Sequence, residues 1–124
     1  MPTAYLPLLA LATLAESPAA GVWRGESLCT ETASASCRNE TVIYYIRDIL
    51  DRPDAVLIRA DKVVDGKAIT MGTGEWQYDR TRQTVEWHMP QQVWLLRLDG
   101  DRINGTLRLA DGTVVRKMRL KKDD

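Results

Sequence analysis

The 124-residue chain has no Phe, a single His and two Cys, and its 17 basic side chains are matched by 17 acidic ones. Each shortage excludes something. With His88 alone and no second Cys pair, a structural zinc site lacks ligands. Balanced charge argues against a partner held by long-range electrostatics, such as a nucleic-acid backbone or an anionic bilayer. No apolar run reaches the ~20 residues that a spanning helix needs, so no membrane span is expected. There is also no G-x-S-x-G elbow, no P-loop and no Gly-rich nucleotide fingerprint. Glu26 with Glu31, and Asp99 with Asp101, fall in loops or turns and read as solvated charge. Ser27 and Asp79 become triad partners for His88 only if distance is ignored. The chain therefore reads as a non-enzyme, with no cofactor and no metal. What is present, 44% hydrophobic and 27% charged residues, is the balance of one soluble globular domain.

The first residues differ in composition from the rest. Leu6, Leu8, Leu9, Ala10, Leu11, Ala12, Leu14 and Ala15 form an apolar run, followed by Ser17, Pro18, Ala19 and Ala20. This is the layout of a secretory signal peptide with its small-residue cleavage site. A cut after Ala19 is expected, giving a leader over 1–19 and a single domain over 20–124. The competing reading is an N-terminal helix packed on the domain. Export to the periplasm or beyond would suit Cys29 and Cys37, which enclose the small and polar segment Thr30 to Ser36 and are expected to form a local disulfide. So short a loop removes little chain entropy and should trim a hairpin, not hold the fold together.

After residue 20 no clean helical period occurs, whereas alternation recurs between turn signals. Strands are predicted over Gly21–Cys29, Glu40–Ile49, Ala55–Val64, Ala68–Met71, Thr73–Tyr78 and Thr84–Met89, with turns at Asp51–Asp54, Asp65-Gly66 and Asp79–Arg82, and a break at Pro90-Gln91. Val42, Tyr44 and Ile46 share one face of their strand, and Val56 and Ile58 should point inward.

Three last strands follow, and their turns set a register. Taking Asp99-Gly100 and Asp111-Gly112 as two-residue hairpin tips places Leu96 opposite Ile103, Trp94 opposite Gly105, Leu107 opposite Arg116, Gly105 opposite Met118 and Ile103 opposite Leu120. One face then carries Trp94, Leu96, Leu98, Ile103, Leu107, Leu109, Val114, Met118 and Leu120. A one-residue slip would destroy it. Gly105 should make room for the Trp94 indole or mark a bulge. Arg116 falls on this inward face and needs a partner. Trp23 can supply one, with the guanidinium stacked on the indole; otherwise Arg116 lies near an open end and reaches water.

Gly21-Val22-Trp23 on the first strand, with Arg116 on the last, resembles the G-x-W and packed Arg of the calycin superfamily of lipocalins, avidins and fatty-acid-binding proteins. The resemblance implies an all-β, antiparallel up-and-down barrel of about eight strands over the whole domain. The chain is shorter than a lipocalin and lacks its C-terminal helix. In size, export and Cys loop it is similar to small periplasmic protease inhibitors of this barrel type, and its general pattern resembles uncharacterised secreted bacterial proteins.

Trp23, Trp76, Trp87 and Trp94 can all fall on inward faces. An eight-stranded barrel is just wide enough to be filled by side chains or to hold one small ligand, and both outcomes stay open. Trp76, Trp87 and Trp94 with Tyr44 and Tyr78 are the candidate ligand-binding residues. The leading expectation is a monomeric, non-catalytic binding protein for a small apolar or aromatic ligand at the barrel mouth. The alternatives are an inhibitor of an exported hydrolase, acting through the N-terminal segment or the Cys29–Cys37 loop, and a filled barrel with a purely structural or interaction role.

Overall fold

The computed structural model describes residues 15–124. The expected signal-peptide run from Leu6 to Leu14 lies outside these residues. Eight strands follow one another around a closed antiparallel barrel: β1 Gly21–Cys29, β2 Glu40–Ile49, β3 Arg52–Val64, β4 Lys67–Asp79, β5 Thr84–Met89, β6 Gln92–Asp99, β7 Arg102–Leu109 and β8 Val114–Lys122. β8 pairs back to β1, so the first and last strands form a seam. Among the described residues no helix is long and apolar enough to cross a membrane.

Alternation fixes which side chains enter. Trp23, Val42, Val56, Ile58, Val85, Leu96, Ile103 and Met118 are wholly buried, and Tyr44, Ile46, Trp76, Tyr78 and Leu120 complete the core. Segment 17–20 joins them at one end. The Ser17 amide donates to Asp48 Oδ2 at 2.8 Å, Ala19 is fully buried, and the Trp23 indole N–H donates to the Ala19 carbonyl at 2.9 Å. The boundary expected after Ala19 thus falls inside packed structure.

Several turns differ from expectation. β3 begins at Arg52, because Leu50 and Asp51 alone turn the chain, with Ile49 facing Arg52 and Asp51 in the left-handed region at φ 63°. Pro90-Gln91 is a tight connection, with Met89 facing Gln92. Asp65 and Gly66, at φ 51° and 78°, make the expected hairpin turn. The β6–β7 tip is Gly100-Asp101, since Asp99 faces Arg102. Leu96 therefore faces Gly105 and Trp94 faces Leu107, a shift of two positions that keeps every side chain on its expected face. In the β7–β8 hairpin Ile103–Leu120, Gly105–Met118 and Leu107–Arg116 pair as expected, but a bulge beyond Leu107 puts Val114 opposite Arg108. Gly105 makes room for Met118 and Leu96, whose side-chain tips lie 2.7 and 2.8 Å from where its Cβ would stand, and not for Trp94.

The two short strands expected at Ala68–Met71 and Thr73–Tyr78 are one strand, β4. Ala60 faces Gly72 and Asp61 faces Thr70, so Met71 is the extra residue of a β-bulge. β4 stays paired with β3 along its length but meets β5 only through Gln77–Glu86, Tyr78–Val85 and Asp79–Thr84. Above those pairs the barrel wall splits.

Candidate functional site

Three small residues create a cavity at this split. Ala60 on β3 faces Gly72 on β4, and Ile58 faces Gly74, so the two glycines lie on the inward face. A Cβ at Gly72 or Gly74 would meet nothing within 4 Å. No packing demand explains either glycine, and what they leave is an apolar cavity of about 190 Å³ walled by Tyr44, Trp76, Trp87 and Trp94 with Met71 at its edge. The Tyr44 and Trp76 rings meet edge-on at 6.4 Å, and Trp76 and Trp87 lie 5.7 Å apart at 43°. Trp87 pairs across to Trp94 from β5 to β6. Trp76 is buried, whereas Trp87 and Met71 are exposed at the rim. For scale, an engineered apolar cavity of ~150 Å³ holds benzene.

Of the five aromatic residues read as candidates, the structure brings Tyr44, Trp76, Trp87 and Trp94 together. It places Tyr78 elsewhere, in the filled end of the barrel, with its hydroxyl 3.3 Å from Gln83 Oε1 and Arg80 over its ring. Parity along β4 put Tyr78 on the same face as Trp76, but one residue pair further along the strand is already past the split. Trp23 is in the filled end as well. The interior is thus filled around Trp23 and hollow around Trp76.

The expected Arg116–Trp23 stack is not formed. Trp23 faces Lys122 across the seam, and its ring has the Lys122 ammonium 5.4 Å from the centroid. Arg116 faces Cys29, at the far end of β1, because β1 and β8 run antiparallel. There its guanidinium donates to the Ser27 hydroxyl at 3.1 Å and to the Arg38 carbonyl at 2.8 Å, and stands 3.6 Å from Glu40. Lys62 closes the other side of Glu40 at 3.8 Å. Tyr44 sits below this network with its hydroxyl on Met118 Sδ at 3.5 Å. Burial pushes its phenol well above the ordinary value, Glu40 adds to the rise and Arg116 opposes it.

Cys29 and Cys37 form the disulfide. The enclosed loop is also pinned from outside it, as the Thr30 and Thr32 hydroxyls both donate to the Val114 carbonyl, at 2.7 and 2.8 Å. His88 lies on the outer face bonded to Glu86, while Ser27 is buried under Arg116. Among the described residues no three His, Cys, Asp or Glu side chains come together as metal ligands would.

The cavity-forming residues Ala60, Met71, Gly72 and Gly74 escaped sequence reasoning. Gly72-Thr73-Gly74 carried the signal, but a pair of glycines in a strand reads first as a break. No protein-family model matches this chain, and no curated protein matches it.

Proposed function

We propose that the protein is an exported, non-catalytic binding protein of calycin type that takes a small apolar or aromatic ligand into the cavity between β4 and β5. The observation that carries this reading is the pairing of two inward glycines in open space with three surrounding indoles. Glycine in a strand interior loses packing and backbone entropy, and here a Cβ at either position would meet no neighbour within 4 Å. The volume suits one aromatic ring or a branched alkyl group, not a long lipid. The Cys29–Cys37 bridge agrees with an oxidising compartment.

Tryptophan fluorescence tests the reading during titration with toluene and with indole analogues that do not fluoresce. Wild-type protein should saturate, and Gly74→Leu should fold normally yet bind at least roughly tenfold more weakly, because the new side chain occupies the cavity. Equal binding by both proteins would reject this site.

A second reading, inhibition of an exported hydrolase through the Thr30–Ser36 loop, draws support from the way that loop is held. A contact loop fixed by a disulfide and by bonds to β8 loses little freedom on binding. Loss of inhibition on replacing the loop with a Gly-Ser linker tests it.

A further inference from the structure

We propose that the ligand of this cavity is one side chain of an extended polypeptide, which adds as a strand to the free edge of β4. The proposal rests on the pocket reading above and names its ligand class. Beyond Gln77 no strand of the described residues pairs with the β5-facing edge of β4, and Trp87 to Met89 on β5 pair only with β6. An exposed edge of this length offers a row of unpaired amides and carbonyls, a template for another chain. Native edges are blunted by Pro, by charge or by a bulge; Ala68 to Gly74 has the Met71 bulge but neither Pro nor charge, and Ile69 and Met71 are 46% and 45% exposed along it.

The cavity opens beside that edge, at Gly72 and Gly74, where the wall has no side chains of its own. Alternation in an added strand would send every second side chain inward, and one of these fits the space among Trp76, Trp87 and Trp94. Its outward side chains would meet the outward residues of the two flanking strands. At the base of the split these are Glu75 on β4 and Glu86 on β5, with Arg52 3.5 Å from Glu75 and His88 bonded to Glu86. Two carboxylates at that end of the outer row favour a strand that is apolar inward and carries a basic residue outward there. A free aromatic molecule would use the cavity but neither the edge nor the carboxylates.

The test uses the full chain and a capped peptide of alternating Lys and apolar residues with a central Phe, compared with toluene as the isolated side chain. Two copies of the peptide are N-methylated at alternate backbone amides, one copy for each edge. The peptide should bind at least ~10-fold more tightly than toluene, and methylation of one edge should remove at least ~10-fold of that affinity. Glu75→Gln with Glu86→Gln should weaken the Lys peptide several-fold and leave a Thr-for-Lys version unchanged. A peptide that binds no better than toluene, or that tolerates methylation of both edges, overturns strand addition while leaving the pocket intact. Failure of toluene and of the peptide alike removes the pocket reading and this inference with it.

Discussion

The Trp23 indole N–H donates to the carbonyl of Ala19, four residues before it, and both residues are fully buried. The segment 17–20 is thereby part of the core, with Ser17 fastened to Asp48 on β2.

A chain beginning at Ala20 loses both attachments and leaves a buried indole N–H without its acceptor, at a cost of about 1–3 kcal/mol. Denaturant unfolding of chains beginning at Glu16 and at Ala20 should show the difference, and coincident curves would contradict it. If the protein is exported, N-terminal sequencing of the processed form should find a start upstream of Ser17.

Lys122 and Arg116 should separate cleanly by mutation. Lys122→Ala removes the ammonium near the Trp23 ring and the stem that lies over Gly21, and should cost about 0.5–1 kcal/mol while altering Trp23 emission. Arg116→Ala releases Ser27, Glu40 and the Arg38 carbonyl at the other end, and should cost about 1–3 kcal/mol without moving Trp23 emission. The reverse pattern in a fluorescence-detected melt would contradict the assignment.

Two glycines should differ sharply in tolerance. A Cβ at Gly25 would stand 1.8 Å from the backbone oxygen of Arg119 and must force the β1–β8 seam apart, so Gly25→Ala should fail to give a folded barrel. At Gly105 the neighbours are the flexible tips of Met118 and Leu96, and Gly105→Ala should cost about 1–3 kcal/mol and still fold. Circular dichroism and thermal melts of the two variants decide this.

Tyr44 makes stability fall in alkali. Its folded-state phenol ionises above the ordinary value of 10.0, chiefly through burial. The unfolded chain therefore loses that proton first, so Tyr44's contribution is whole below about pH 10 and declines as pH rises above it. Tyr44→Phe should flatten this part of the stability profile. Parallel profiles for the two proteins would contradict the assignment.

Much of the barrel was legible in the residues because a period of two is a strong signal wherever one face is buried. β1 and β2 have the predicted bounds, and the inward faces of β6, β7 and β8 follow from the Asp-Gly turns even though one tip is displaced. That displacement was invisible because Gly100-Asp101 and Asp99-Gly100 satisfy the same alternation. The Trp23 partner was misplaced for a different reason. Pairing between neighbouring hairpins is local, but the β1–β8 register joins the two ends of the chain, and no turn specifies it; it sets Trp23 against Lys122 and moves Arg116 to the opposite rim. The cavity was hidden by the same kind of non-local fact. The parting of β4 and β5 past Gln77, the Met71 bulge, and Gly72 and Gly74 facing Ala60 and Ile58 do not show as a periodic pattern.

The space bounded by Ala60, Gly72, Gly74, Trp76, Trp87 and Trp94 is the proposed seat of an apolar group. A crystal structure of the protein soaked with bromobenzene tests it most directly, because bromine at its absorption edge gives an anomalous signal far stronger than that of any sulfur in the chain. An anomalous peak is expected among the three indoles, absent from Gly74→Leu crystals treated in the same way. A wild-type cavity without the peak, or a peak that persists in Gly74→Leu, would contradict it.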